Sequence, residues 1–359
     1  MSPRRTWPSR ASVALVALFV HSLIARGATT EPSTTLLDAA ERGTKFTSTD
    51  VDRVESDLRY SRNKATAHAQ LLGYYSLRPG EQLLRRREHV LWIVQNRPAD
   101  PIAATGYCRI DPELDHDGEA QLRALWLHQQ AKDPDNPAIL LNAATALIDR
   151  DEVDAELFLQ HGAELEPKDA KWPQRLAELY ELRAARSHDS RENRERAASL
   201  ALAQRQKACY LTLDVTERFH IFIEMPRDAV RAGDFLQAKR LGLQLLDMAS
   251  LFQKDPEYGT AIHVGNIALG RVALHTGDVD TANGYLTAAG QAQASPTLTG
   301  AGPDMSLAAE LLARGQRRTV RDYLAACAKT WKSGSARVHA WIDTVDAGGT
   351  PDFGGQSWE

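Results

Sequence analysis

The sequence is poor in the residues that define metal-binding and disulfide-rich folds. Among its 359 residues are only three cysteines, Cys108, Cys209 and Cys327, and no two of them lie at C-x-x-C spacing. This spacing excludes a local zinc-binding pair and a disulfide scaffold. Because three is an odd number, at least one thiol is unpaired within the chain. Small buried packing residues are the simplest interpretation of all three.

Local catalytic and nucleotide-binding motifs are also missing. The chain contains no G-x-S-x-G, no H-E-x-x-H, no Walker loop and no dinucleotide-binding glycine pattern. The two glycines of SPTLTGAGPD, residues 295–304, therefore predict a turn-rich linker rather than a phosphate loop. We expect a non-catalytic protein without a cofactor.

An excess of basic residues is lacking as well. The formal net charge is −4, and the four arginines within residues 1–27 precede the first acid, Glu31. A chain without residues 1–27 would carry a charge of about −8. Nucleic-acid binding needs a basic surface, so this balance argues against it. The sequence contains 43% hydrophobic and 25% charged residues, which is typical of a folded soluble protein and argues against global disorder.

Only one long hydrophobic run occurs, ASVALVALFVHSLI at residues 11–24. It follows a basic start and precedes the small residues Ala25 and Gly27, so residues 1–27 are predicted to be a secretory signal peptide. The run is short for a membrane span, which needs roughly twenty residues. We expect an exported protein, periplasmic or secreted. The alternative is an inner-membrane anchor formed by an uncleaved segment 11–24.

The centre of the chain carries a helix–turn–helix repeat at residues 136–169. Asn136 before Pro137 is an N-cap followed by proline at the first helical position, so the first helix is predicted to begin there. Pro167 is predicted to stop the second helix. The apolar spacing assigns two inner faces: Ala138, Leu141, Ala144, Leu147 and Ile148, then Ala155, Phe158, Leu159, Gly162 and Leu165.

Other segments repeat this pattern. Residues 64–98 read as a helical pair closed by Pro98, and a polar insertion at 183–196 separates another pair. Two corners of the form Gly-Asp-apolar-x-x-Ala lie 44 residues apart, Gly233 to Ala238 and Gly277 to Ala282. A last pair is expected in 305–331, followed by a capping helix that contains Val338, Trp341, Ile342 and Val345.

These corners, the small residues inside the first helices and the closing prolines resemble the tetratricopeptide (TPR) repeat. The C-terminal stretches GPDMSLAAELL and GTPDFGG resemble the ends of secreted bacterial TPR-like proteins, a likeness that implies no particular activity. The resemblance implies an all-α, antiparallel helix-pair solenoid with irregular repeats. Such a stack has a concave groove for a partner. The outward side chains of the first helices nominate Gln174, Glu178, Arg271 and His275 as groove residues.

This organisation predicts six segments along the chain: a signal peptide, 1–27; a flexible linker, 28–50; N-terminal helical pairs with a degenerate repeat, 51–130; central repeats, 131–294; a C-terminal pair with a capping helix, 295–345; and a mobile tail, 346–359. The alternative for the tail is docking by Phe353 or Trp358.

Two groups of residues support an alternative, a metal-dependent enzyme or metal-binding protein. One group is three histidines on predicted helices, His220, His263 and His275. The other is the acidic loop 111–119, where alternating acids and Gly118 match the start of a calcium loop. That match fails at its end, where Ala124 stands in place of the bidentate glutamate.

Charged pairs and runs elsewhere are expected to be solvated helix faces. They include Arg85-Arg86-Arg87 and the pair Glu178 and Glu181. The leading expectation is a non-catalytic exported interaction or scaffold module of a bacterial envelope that binds a peptide or protein. Contact with a membrane is expected only if segment 11–24 is uncleaved, in which case the protein is a structural subunit held at the inner membrane.

Overall fold

The computed structural model describes residues 35–61, 63–78, 80, 82–186 and 189–356. Within these residues the chain is an all-α, antiparallel helix-pair solenoid without β-strands, as the sequence predicts. The described helices form two compact units, an N-terminal unit of 35–168 and a C-terminal unit of 169–356. This division falls inside the predicted segment 131–294. The predicted signal peptide, 1–27, lies outside the described residues.

The N-terminal unit contains seven α-helices within its described residues. Successive helices pack on one another: α1 on α3, α3 on α4, and so on to α6 and α7, while α2 packs on α3. Two short 3₁₀ turns connect α4 to α5. The helices are α1 Leu36–Gly43, α2 Ser48–Asp57, α3 Lys64–Ser76, α4 Leu83–Asn96, α5 His116–Lys132, α6 Pro137–Leu147 and α7 Glu152–Leu165; the turns are Pro101–Ala104 and Gly106–Cys108.

The first two helices correct the predicted flexible linker, 28–50, over residues 35–50; residues 28–34 lie outside the described residues. Each begins with a capping box. The threonine side chain accepts a hydrogen bond from the backbone N–H of the aspartate three residues later, and the aspartate side chain accepts one from the backbone N–H of the threonine. The pairs are Thr35 with Asp38 and Thr47 with Asp50. The polar composition of this stretch therefore reflects helix starts rather than flexibility.

Small residues let α1 and α3 approach each other closely. Ala39 and Ala40 are fully buried. A Cβ atom added at Gly43 would lie 1.8 Å from the carbonyl oxygen of Gln70, and one added at Gly73 would lie 1.8 Å from that of Ala40. The two backbones are thus in direct contact, which makes α1 part of the packed unit.

The central repeat forms as predicted, as α6 and α7. Asn136 caps α6, with its side-chain oxygen accepting from the N–H groups of Ala138 and Ile139. Most of the assigned inner positions are buried or partly buried, but Ala138 and Leu165 are exposed. Both lie at a helix end, where the chain turns away from the neighbouring helix.

The C-terminal unit continues with paired helices. We call α8, α11, α13 and α16 its first helices, because they pair with α9, α12, α14 and α17. Pro226 separates α10 from α11 by interrupting the helical hydrogen bonds. The helices are α8 Lys171–Ala184, α9 Arg191–Leu211, α10 Val215–Ile223, α11 Met225–Arg231, α12 Phe235–Ala249, α13 Tyr258–His275, α14 Val279–Gly290, α15 Pro296–Gly300, α16 Ser306–Ala313, α17 Arg317–Thr330 and α18 Ser335–Asp346.

The two predicted corners have the same backbone geometry. Gly233 and Gly277 have φ angles of +73° and +82°, the left-handed region that glycine adopts without strain. The next N–H, of Asp234 or Asp278, donates to the carbonyl five residues earlier at 3.0 and 2.9 Å, and each aspartate caps the following helix. The corner prediction is confirmed.

The predicted capping helix is α18. For the tail, 346–359, the prediction of mobility is wrong in the described part, whereas the alternative of docking by Phe353 is confirmed; Trp358 lies outside the described residues. Phe353 is buried and packs edge-to-face on Trp341, with ring centroids 5.2 Å apart. The Trp341 indole N–H donates to the carbonyl of Asp352 at 3.0 Å, and the N–H of Met305 donates to that of Gln356 at 2.7 Å. The glycines allow the turn that brings these groups back onto the fold.

Candidate functional site

The most densely charged buried site of the C-terminal unit lies where α8, α9 and α11 meet. We call it the charged cluster. The cluster has four of its residues within about two helical turns of each other, on or just before α11, the helix that follows the break at Pro226. It consists of Glu181 on α8, Arg205 on α9, and Glu224, Arg227, Asp228 and Arg231 at the start and along α11.

Two carboxylates organise the arginines of the cluster. Glu181 accepts hydrogen bonds from Arg205 and Arg227, and from Nη1 of Arg231 at 3.4 Å. The Nε of Arg205 donates to Oδ2 of Asp228 at 2.6 Å. Arg227 also pairs with Glu224. Three helices are therefore tied together by ion pairs with little exposure to water.

The surroundings shift the pKa values of the cluster strongly. Burial alone would raise the pKa of Glu181, but Arg227, Arg205 and Arg231 outweigh it and lower the value to about 2. Burial raises the pKa of Asp228 to about 6 against the opposing effect of Arg205. Burial and the nearby Arg227 lower the pKa of Arg231 to about 10.

With three arginines facing three carboxylates, the cluster has the chemistry of a structural ion network. It fixes the angle of α11 against α8 and so positions the first helices. The sequence did place Glu178 and Glu181 on one helix face, but the expectation of a solvated face is wrong for Glu181, whose side chain is 20% exposed. Sequence reasoning missed the ion pairs between helices, because they join residues 23 to 50 positions apart.

The four nominated groove residues lie on first helices, and each engages a different neighbour. Gln174 donates to Oε1 of Glu217 at 3.4 Å, and Arg175 donates to Glu178 at 2.7 Å. The two on α13 behave differently: Arg271 donates to Oε1 of Glu310 at 2.6 Å, whereas the exposed His275 stacks on Phe235 with ring centroids 3.8 Å apart.

The contacts of Gln174, Glu178 and Arg271 bear on the groove nomination. All three are partly buried and hydrogen-bonded within the chain. Gln174 and Arg271 therefore link two helices each, whereas Glu178 links neighbouring turns of α8. A partner at this face would contact side chains that already have hydrogen-bond partners within the chain. The charges of the partner would therefore have to complement the charges of these pairs.

The three histidines proposed for a metal are held apart by separate partners. His220 bonds to the carboxylate of Asp255 at 2.9 Å, and His275 stacks on Phe235. His263 is buried and contacts the carbonyl of Ala289 and the N–H of Asp304. Among the described residues no group of three or more metal-ligating side chains converges.

The acidic loop 111–119 has a different role from the calcium loop considered for it. Asp115 is buried, caps α5 by accepting from the N–H of Gly118 at 3.0 Å, and accepts from Nε of Arg87 at 2.8 Å. These bonds use the oxygens that a cation would need, while Glu113 and Asp117 are exposed.

The arginine run beside it is a solvated face only at Arg85, whose side chain is 53% exposed, whereas Arg86 and Arg87 are partly buried. Arg85 pairs with Glu55 at 2.5 Å, Arg86 donates to the backbone carbonyl of Arg109, and Arg87 binds Asp115. Each arginine of the run thus secures a different neighbouring segment.

The three cysteines are free thiols. Cys108 and Cys327 are buried, and burial raises the pKa of each to about 12, so neither is a thiolate at neutral pH. Cys209 is half-buried, and burial also raises its pKa. These properties agree with packing residues.

Together, the helix pairs and the ion-paired first helices define an all-α helical-repeat protein. No protein-family model matches the sequence, and neither does any curated protein. Across the described residues, no helix is both long and apolar enough to cross a bilayer.

Proposed function

We propose that this protein is an exported, non-catalytic scaffold that binds a peptide or protein partner along the first helices of its C-terminal unit. The observation that carries the proposal is a set of polar pairs that links α8 to α10, α8 to α11 and α13 to α16, which we call the first-helix strip. It comprises Gln174–Glu217, Glu181–Arg227 and Arg271–Glu310.

The strip is suited to selecting a partner by charge. The side chains of Arg271 and Glu310 are 18% and 20% exposed, so they hold each other while still reaching the surface. Pairs fixed in this way present charges at set positions, and such complementarity contributes mostly to specificity and association rate. The TPR resemblance supports the same face, because first helices line the groove in that repeat.

Export follows from the N-terminal sequence. The basic start, the apolar run 11–24 and the small residues before Ala28 support cleavage by a signal peptidase. Mass measurement of the N-terminus of the exported protein tests this step. A retained segment 11–24 would instead place the scaffold at the inner membrane.

Affinity capture with a charge-swapped strip tests the binding proposal. The double substitution Arg271→Glu with Glu310→Arg keeps an ion pair between α13 and α16. It places the negative charge on α13 and the positive charge on α16, the reverse of the wild type. The matched control is Arg321→Glu with Asp346→Arg, which reverses an exposed 2.9 Å pair on α17 and α18, outside the strip.

We expect the strip swap to reduce capture of the partner from the envelope fraction at least tenfold, and the control swap to leave it unchanged. Circular dichroism of both variants verifies that the helices are intact. Equal capture by the wild type and both variants would remove the first-helix strip from the proposal.

A further inference from the structure

Two histidines face each other inside the N-terminal unit, away from the first-helix strip. His68 on α3 and His89 on α4 are 6% and 5% exposed, and their Nδ1 atoms lie 2.9 Å apart. The ring of His68 stacks on Trp92 with centroids 4.1 Å apart, and Tyr75 stacks on His89 at 5.8 Å. The pair is therefore a hydrogen bond enclosed by aromatic rings.

Only one hydrogen fits between two Nδ1 atoms at this distance. The Nε2 atom of His89 is buried and has no hydrogen-bond partner among the described residues. The tautomer that avoids an unpaired buried donor therefore carries its hydrogen on Nδ1 of His89, with His68 accepting. A further proton on Nε2 of His89 creates an unpaired buried donor, and one on Nδ1 of His68 sets N–H against N–H.

The charges around the pair also oppose proton uptake. Burial and the like charge of Lys64 lower the pKa of His68 to about 4. Burial, His68 and Arg85 lower that of His89 to about 3. The nearest acid on α2, Glu55, accepts from Tyr75 and Arg85, both at 2.5 Å, so it is occupied.

Among the described residues, the groups that α1, the 3₁₀ turn and the start of α5 place against α3 and α4 are neutral or already paired. The buried face of α1 against α3 consists of Ala39, Ala40 and Gly43. In the 3₁₀ turn, Cys108 is a neutral thiol at neutral pH. On the α5 side, Asp115 is bound to Arg87.

We propose that the His68–His89 contact is an acid-sensitive latch, which holds α3 on α4 at neutral pH and releases them when the histidines take up protons. In the opened state both histidines have pKa values near 6.5, above their values in the closed state. The open state therefore binds more protons, so the latch is fully closed above about pH 6.5 and weakens as the pH falls towards 4. Each histidine raises the open-to-closed ratio up to about tenfold per pH unit over that range.

Hydrogen exchange of the full chain, followed by mass spectrometry at pH 7.0 and 4.5, tests the latch. After correction for intrinsic exchange, we expect peptides from α3 and α4 to lose at least tenfold of their protection at the lower pH. Peptides from α6, which lies in the same unit and has no titratable side chain, should change less than threefold. Equal loss in all helices, or none in α3 and α4, would overturn the proposal.

His89→Gln provides the matched variant, because it keeps a hydrogen-bonding side chain but does not titrate. We expect it to reduce the extra acid-induced exchange of α3 and α4 at least threefold, whereas His220→Gln, at an exposed histidine of the C-terminal unit, leaves it unchanged. If His89→Gln fails to fold, ¹⁵N-histidine NMR of the wild type decides the matter. Titration of the assigned His68 and His89 imidazoles below pH 5 supports the latch, and their titration near pH 6.5 refutes it.

Discussion

Replacement of Glu181 by glutamine is the most direct test of the charged cluster. The substitution keeps the size of the side chain but leaves Arg205, Arg227 and Arg231 facing two carboxylates instead of three. Lowering the pKa of Glu181 from 4.5 to about 2 corresponds to roughly 3 kcal/mol of stabilisation of its charged form. Breaking a buried pair by removing one partner costs about 3–5 kcal/mol. We therefore expect Glu181→Gln to reduce the free energy of unfolding by about 3 kcal/mol.

Glu178→Gln is the matched control, one helical turn earlier on α8. Its partner Arg175 and the glutamate are 27% and 40% exposed, so water screens their attraction. Exposed pairs of this type contribute about 0–1 kcal/mol. The same chemical change on the same helix should therefore have a much smaller effect.

Urea denaturation followed by circular dichroism measures both variants, and hydrogen exchange of α8, α9 and α11 verifies that the loss lies in the cluster. The pH dependence has a definite sign. Because the folded pKa of Glu181 is depressed, its contribution is present above about pH 4.5 and is lost as the pH falls towards 2. The difference between wild type and Glu181→Gln should shrink over that range. Equal stability of the two variants at pH 7 would refute the assignment of a buried ion network.

Three further predictions concern packing and protonation. Gly73→Ala places a Cβ 1.8 Å from the carbonyl oxygen of Ala40 and should lower stability by about 1–3 kcal/mol in thermal unfolding, whereas Gly284→Ala, with open space around it on α14, should raise it by about 0.5–1 kcal/mol. Phe353→Ala should cost about 3 kcal/mol and increase proteolysis of the tail, because the ring is 4% exposed; unchanged proteolysis would contradict the docked tail. His263 has a lowered pKa because of burial, so wild type should lose up to about 1.4 kcal/mol per pH unit below pH 6.5, a slope that denaturation of His263→Gln should reduce.

The corners and helix pairs could be predicted because their signals are local. Gly277 and Asp278 adjoin each other, and the residue that must turn and the residue that must cap are both visible in the sequence. Asn136 before Pro137 is a signal of the same kind. Geometry within a few residues fixes these features whatever the rest of the chain does.

The charged cluster could not be found in this way. Glu181 and Arg231 are 50 residues apart, and nothing near either residue shows that a kink at Pro226 brings them together. Composition alone also led to wrong predictions of flexibility for the linker before α3 and for the C-terminal tail. The threonines near residue 40 are helix caps, and the glycines of the tail permit a turn that returns Phe353 to Trp341.

The capping boxes of α1 and α2 were present in the sequence. Thr35 with Asp38 and Thr47 with Asp50 are threonine and acid at the required spacing. The missing information was the partner for α1, since the close approach of Gly43 to Gln70 and of Gly73 to Ala40 depends on tertiary packing.

The docked tail has a consequence for how copies of this protein can assemble. A helical stack with an uncovered last pair can receive another molecule at its end, and repeated addition then produces a fibre. Here the chain places Phe353 over Trp341 and presents Arg337, His339 and Asp343 to water from α18. The ring of Phe353 thus occupies the surface around Trp341 that a second copy would otherwise contact.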